Sequence, residues 1–102
     1  MPLRAPLIIA VICSPKTHPK VPVIEQQLSS ACAALQIVNM AEALGYGAIW
    51  RTGDVATNDQ VRKGLSLSSY ESITGFIYVG DILEAKPISP AVDKAKLVQY
   101  WR

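Results

Sequence analysis

The chain has 102 residues, of which 50% are hydrophobic and 18% are charged, with a formal net charge of +2. A chain of this length is expected to form one domain, residues 1–102, that buries about two-thirds of its unfolded surface. Its basic residues are scattered over segments 4–20, 51–63 and 86–102, a pattern that excludes a nucleic-acid footprint. Because no apolar run approaches the roughly 20 residues that cross a bilayer, we expect a soluble protein with no membrane partner.

The two cysteines and the single histidine point to neither redox nor metal chemistry. Cys13 and Cys32 lack the close C-x-x-C spacing that such sites use, so we interpret both as small core residues in a reducing compartment. This interpretation predicts a cytoplasmic protein. His18 lies between prolines with no ligand partner at metal-site spacing, and we expect it to be solvated.

The first predicted elements are a strand and a long helix. Residues 7–13, LIIAVIC, are continuously apolar, which is typical of a central strand covered on both faces. Residues 14–22 hold three prolines and form an exposed loop, and Pro22 suits the first turn of the following helix. From Val23 an apolar stripe recurs every three or four residues and predicts the buried face of this helix. The stripe consists of Ile24, Leu28, Ala31, Leu35 and Val38.

The second half of this helix is apolar around most of its circumference. Residues 31–44, ACAALQIVNMAEAL, contain eleven apolar side chains in fourteen positions. Such a helix must be buried on more than one side. Because so short a chain offers little protein to surround it, we predict a partner surface, most simply a second copy packed against the helix over residues 23–45.

Two further strands and a short helix complete the predicted core, residues 1–82. Gly45 can adopt the left-handed conformation that ends a helix, and residues 46–52 read as a strand. The sequence Thr57-Asn-Asp-Gln60 matches a capping box and opens a short helix. Residues 73–79 predict a third strand, in which Gly75 lets another backbone or a ligand come close. The order of elements predicts an α/β fold with three layers.

The remaining segment, residues 83–102, is an extended tail. Prolines interrupt it, and it ends in the apolar side chains of Leu97, Val98, Tyr100 and Trp101. We expect this tail to dock on the domain or on its partner.

The segment from Gly45 to Gly53 is the candidate binding site. It places three glycines around Trp-Arg-Thr at the end of a strand, where α/β sheets tend to bind ligands. Arg51 offers a planar charged fork for a phosphate or an electron-rich ring edge, and the N–H groups of the turn point outward. A packed Trp, an ion-paired Arg and a plain turn are the structural alternative, which the spacing alone favours.

Three segments carry a family resemblance: RAPLIIAVICSPKTHPKVP, EQQLSSACAALQIVNMAEALGYGAIWRTG and ITGFIYVG. They resemble the C-terminal half of an FMN-dependent nitroreductase, in the branch of small NAD(P)H nitroreductases. The resemblance implies a truncated nitroreductase-like α/β fold, with a mixed sheet and a long central interface helix. It also implies a homodimer with two FMN sites lined by both subunits. In such enzymes NAD(P)H reduces the flavin, which then reduces a small aromatic substrate, a nitroaromatic or a quinone.

Site residues follow from the resemblance residue by residue. Trp50, Arg51, Thr52 and Gly53 match the loop against the flavin ring, where backbone N–H groups can bond N5 or O4 and favour the reduced flavin. A second stretch matches residues implicated in nicotinamide-cofactor contact, with core packing as the alternative. It consists of Ala41, Glu42, Ala43, Leu44, Gly45 and Tyr46. No catalytic acid or base is evident among these side chains.

The resemblance leaves the flavin phosphate without a site. Family members grip it with an Arg-Arg-Ser-type motif in an N-terminal half that this sequence does not contain, and the tail offers only Lys86, Lys94 or Lys96. One alternative is therefore a non-catalytic dimeric module that has lost flavin binding. Another is a fragment whose N-terminal half is supplied by a separate polypeptide.

Overall fold

The computed structural model of the chain describes residues 5–84 and 89–101. Its strands are β1 (Leu7–Cys13), β2 (Gly47–Arg51) and β3 (Ser72–Gly80), and its helices are α1 (Val23–Ala43), α2 (Asp59–Gly64) and α3 (Lys94–Leu97). A 3-10 turn, Asp54–Thr57, precedes α2. The α/β class and the predicted strands and helices of the core are confirmed.

The three strands form one sheet in the order β1-β3-β2, and both neighbouring pairs are antiparallel. The prediction of a central β1 is wrong, because β3 occupies the middle and β1 has β3 as its one neighbour among the described strands. β1 and β2 run in the same direction, as a strand-helix-strand unit requires, but β3 lies between them. Every described pair is therefore antiparallel, where a mixed sheet was expected.

The core lies between α1 and one face of the sheet. Ala34 of α1 and Ile77 of β3 are both 0% exposed, and Ala41 and Val79 complete this cluster. Ala34 and Ala41 are seven residues apart, two turns of helix, and therefore lie on the same side of α1. Because alanine side chains are small, they allow the helix backbone to approach the sheet closely.

Three of the five positions of the predicted apolar stripe of α1 are not buried within the single chain. Ala31 and Val38 are partly buried, whereas Ile24, Leu28 and Leu35 are more than half exposed. The side of α1 that packs on the sheet centres on its alanines, so most of the large side chains point elsewhere. A helix that is apolar all round cannot indicate by periodicity which side meets the sheet.

The two cysteines fall in different environments. Cys13, at the end of β1, is buried, which confirms its predicted place in the core. Cys32 is exposed on α1, so its assignment to the core of this chain is wrong. The reason is again the side of the helix on which it lies, away from the sheet.

Gly45 ends α1 as predicted. Its φ is +89°, its N–H donates to the Glu42 carbonyl at 2.9 Å, and the Tyr46 N–H donates to the Ala41 carbonyl at 2.9 Å. These two bonds are the pattern of a Schellman motif, which satisfies carbonyl groups that a helix end would leave unpaired.

The capping residue of α2 is Asn58 rather than the predicted Thr57. The Asn58 Oδ1 accepts the N–H groups of Gln60 at 2.9 Å and Val61 at 3.2 Å. Thr57 belongs to the preceding 3-10 turn, where its hydroxyl donates to the Asp54 carbonyl at 3.3 Å. The helix therefore begins one residue later than the capping-box pattern indicates.

The described part of the tail is exposed throughout. Asp93 caps the four-residue α3 by accepting the Ala95 N–H at 3.1 Å, and Trp101 is 94% exposed. Docking of the tail on the domain or a partner stays a prediction, and residues 85–88 and 102 of it lie outside the described residues. Within the described ranges, no helix is long and apolar enough to span a membrane.

Candidate functional site

The candidate site lies at the carboxyl end of β2. Successive side chains of a strand point to opposite faces of the sheet. Trp50 pairs with Ile77, whose side chain lies in the core under α1, so the indole is on the α1 face. Arg51 pairs with Phe76 and points to the other face. The side chains of Trp50 and Arg51 therefore lie on opposite faces of the sheet.

Trp50 lies across Gly75 of the neighbouring strand. A Cβ added to Gly75 would be 2.5 Å from the Trp50 Cδ1, closer still to its Nε1, and 3.2 Å from the Arg51 carbonyl oxygen. The Trp50 Nε1–H donates to the Thr74 carbonyl at 3.3 Å, and the residue stays 37% exposed. A close approach at Gly75 is found as predicted, but the nearest group is the side chain of Trp50 rather than the backbone or ligand that was expected.

Arg51, Thr52 and Gly53 form an exposed turn. Within residues 5–84 and 89–101, the Arg51 guanidinium has no hydrogen-bond or ion-pair partner, so the structure does not support the alternative of a paired arginine. Gly53 has φ +77° and ψ −162°, a conformation that is essentially restricted to glycine. A Cβ at Gly53 would meet no heavy atom within 4 Å. The turn thus presents an unpartnered guanidinium and open backbone to solvent.

The second candidate stretch, residues 41–46, lies at the opposite end of β2. Ala41 is buried in the core and Gly45 serves the helix end, which leaves Glu42, Leu44 and Tyr46 among its exposed residues. At about 3.3 Å per residue, the four steps along β2 from Tyr46 to Trp50 separate the nearest ends of the two stretches by roughly 13 Å. The two candidate stretches are therefore not brought together within one chain.

The structure does not bring the lysines that the tail offers for the flavin phosphate into contact with the candidate site. Lys94 and Lys96 are exposed on α3, and Lys86 lies outside the described residues. In the part of the chain that the structure describes, no three His, Cys, Asp or Glu side chains are grouped to hold a metal ion. The His18 Nδ1 instead accepts the N–H groups of Lys20 at 3.0 Å and Val21 at 3.2 Å, which closes an exposed turn.

A hydrogen-bonded clasp joins α2 to residues 68–71, the segment just before β3, and was not predicted from the sequence. The Arg62 Nη2 donates to the carbonyl oxygens of Ser68 at 3.0 Å and Glu71 at 2.7 Å. The Ser68 N–H donates to the Glu71 carboxylate at 2.8 Å and holds the pKa of that group below its ordinary value. No local signal predicts this clasp, because two of its acceptors are backbone carbonyls, which every residue carries.

Comparison with known proteins identifies the family to which this sequence belongs. The sequence matches the model of the nitroreductase family over residues 1–81. Two curated relatives carry the name "Putative NAD(P)H nitroreductase": YdjA of Escherichia coli K12 and a protein of Haemophilus influenzae. YdjA is 39% identical over 101 residues, covering 98% of this chain and 55% of the relative. The Haemophilus protein is 27% identical over 99 residues, covering 95% and 54%. The chain belongs to the nitroreductase family.

The fold agrees with this membership. The crystal structure of a nitroreductase-like family protein from Bacillus cereus matches with a TM-score of 0.71 at 20% identity. The match covers 91% of this chain and 49% of that structure. The chain thus spans about half the length of the relatives it matches.

Proposed function

We propose that the chain is the flavin-contacting part of an FMN-dependent NAD(P)H oxidoreductase of nitroreductase type, acting on nitroaromatics or quinones. The proposal places the flavin ring against the turn at Trp50–Gly53. The observation that carries it is the exposed, unpartnered Arg51 beside the open backbone of Gly53. Membership of a family with relatives named as NAD(P)H nitroreductases supports the choice of electron donor.

The residues of the turn fit the ring of a flavin. The ring edge carries carbonyl oxygens and ring nitrogens that can accept N–H groups, and Thr52 and Gly53 offer backbone donors at an exposed turn. The Arg51 guanidinium can stabilise negative charge on a reduced ring. When bound, the flavin supplies the transfer of hydride from NAD(P)H and of electrons to the acceptor. The protein supplies position and charge.

We further propose that two copies of the chain pack through α1. Ile24, Leu28, Cys32 and Leu35 lie on one side of this helix, which we term the outer face, and all four are exposed in the single chain. A second copy would cover these apolar side chains. It could also bring the 41–46 stretch of one subunit toward the turn of the other, which matches a site lined by both subunits.

Flavin titration of the purified full chain tests the proposal. We expect added FMN to bind, with a changed visible spectrum and NAD(P)H oxidation in the presence of a nitroaromatic. Arg51→Ala should weaken FMN binding about tenfold, the loss of one charged hydrogen bond of ~1.4 kcal/mol, and leave the dimer intact. Lys63→Ala, which also removes one exposed positive charge, is the matched control. Unchanged FMN affinity in Arg51→Ala would contradict the assignment of the turn.

One observation favours the alternative of a dimeric module without flavin. A flavin phosphate normally requires arginines or a helix N-terminus. Within the described ranges the arginines are Arg51 and Arg62, and Arg62 is engaged by two carbonyl oxygens. A dimer that binds no FMN would support this alternative. Recovery of binding on mixing with a polypeptide carrying the N-terminal half of a relative would instead indicate a divided site.

A further inference from the structure

We infer that Trp50 is a positioning residue: its indole, held on Gly75 and Thr74, sets where the turn at Arg51–Gly53 leaves the sheet. The inference concerns the turn that the proposed function assigns to the flavin, and it rests on that assignment only for its functional consequence. The indole itself faces its own sheet, and the groups free to meet a ligand are those of residues 51–53.

The first observation is an irregularity in β3 beside Trp50. Val11 of β1 pairs with Gly75, but the next residue, Ile12, pairs with Ile73. Thr74 therefore has no partner in β1 and is the extra residue of a β-bulge. Bulges turn side chains and backbone groups away from the regular ladder. Here the carbonyl of the bulged residue accepts the Trp50 Nε1–H.

The second observation is that three elements meet at Thr74. Its hydroxyl shares a hydrogen bond of 2.6 Å with the Ser30 hydroxyl of α1, and its carbonyl accepts the indole of β2. Thr74 itself belongs to β3. The bulge thus ties the end of β2 to the helix that we propose as the dimer interface.

The third observation is that the indole contacts β3 beyond the point where the β2–β3 ladder ends. The ladder between β2 and β3 ends at the pair Arg51 and Phe76. The indole contacts β3 one and two residues beyond Phe76, at Gly75 and Thr74. Along β3, these contacts extend the attachment of β2 beyond its last ladder pair. They require a glycine at position 75, because any Cβ there would overlap the indole.

The test displaces the indole, which is the group closest to a new side chain at position 75. Gly75→Ala in the full chain should shift Trp50 emission to the red and increase its quenching, with Trp101→Phe as the background that removes the other tryptophan. Gly64→Ala is the control, because a Cβ there meets nothing within 4 Å. Trypsin cleavage after Arg51 should accelerate about tenfold relative to cleavage after Lys20, as expected when local opening becomes ~1.4 kcal/mol easier.

A second variant separates positioning from general loss of stability. Trp50→Ala removes the indole with which the new methyl group of Gly75→Ala would overlap. The double variant Trp50→Ala/Gly75→Ala should therefore unfold at the same denaturant concentration as Trp50→Ala alone. Additive effects of the two changes, or an unchanged ratio of cleavage after Arg51 and Lys20, would overturn the inference.

FMN affinity distinguishes this inference from the proposed function. If the parent chain binds FMN, Gly75→Ala should lower the affinity although it removes no group of residues 51–53, and Gly64→Ala should not. Unchanged affinity in Gly75→Ala would overturn the positioning role. If the parent chain binds no FMN, the proposed function fails, while the emission and proteolysis results still decide whether Trp50 positions the turn.

Discussion

Leu35→Ala should weaken the proposed dimer while leaving the fold of each subunit intact. Leu35 lies on the outer face of α1 and is 51% exposed, so about half of its surface remains to be buried by a partner. Full burial of a leucine side chain contributes ~1.5–3 kcal/mol, and half of it ~0.8–1.5 kcal/mol per subunit. Because a two-fold interface uses each residue twice, the dimer should lose ~1.5–3 kcal/mol, or about 10- to 150-fold in Kd.

Sedimentation equilibrium over a range of concentrations measures this change directly. Leu65→Ala is the matched control, because Leu65 is 41% exposed at the end of α2 and lies outside the proposed interface. It should leave the dimer Kd unchanged. Neither substitution removes a residue of the buried core, so circular dichroism should show the parental helix content in both variants.

Two results would refute this reasoning. Equal dimer Kd values for Leu35→Ala and the parent chain would show that the outer face of α1 is not the interface. A parent chain that stays monomeric at the highest concentration studied would remove the dimer altogether. The exposed apolar side chains of α1 would then need another partner.

The end of α2, the two thiols and one carboxylate offer three further tests. Ser66 has φ 57°, so Ser66→Gly should relieve left-handed strain and stabilise the fold by ~0.5–1 kcal/mol in denaturant titrations. A thiol reagent should label Cys32 in diluted monomer but spare it in the dimer, with buried Cys13 spared in both. The Ser68 N–H lowers the pKa of the Glu71 carboxyl group in the folded chain. The ionised carboxylate therefore stabilises the fold at pH values above the ordinary pKa, and this stabilisation is lost as the pH falls through the lowered pKa. Glu71→Gln should therefore flatten the loss of thermal stability as the pH falls below 4.5, the ordinary pKa of this group.

Local features were predictable because they depend on neighbours along the chain. The apolar run of β1 and the helix-ending role of Gly45 both appear in the structure where the sequence places them. Each depends on backbone conformation or on a short apolar pattern, which a few consecutive residues determine. The cap of α2 shows the limit of such reading. Thr57 and Asn58 are both good capping residues, and the 3-10 turn before the helix selects Asn58.

At the candidate site, sequence reading identified the segment but not the roles within it. The glycines and the Trp-Arg-Thr run predicted an exposed strand end, and Arg51 and Gly53 are found there. The contact between Trp50 and Gly75 was not predicted, because the two residues are 25 positions apart and meet only across neighbouring strands. The separation of the 41–46 stretch from the turn likewise follows from the length of β2 between them.

The amino-acid sequence by itself determined the elements of this protein, its family and the position of its exposed glycine turn. Tertiary structure alone decided that β3 lies between β1 and β2 and that alanines rather than leucines of α1 meet the sheet. It also decided that the indole of Trp50 packs on Gly75. The reason is physical: local conformation follows from neighbouring residues, whereas strand order and helix facing depend on which distant surfaces fit together. Because α1 is apolar on most of its sides, the side that packs on the sheet is decided by which side chains fit the sheet surface.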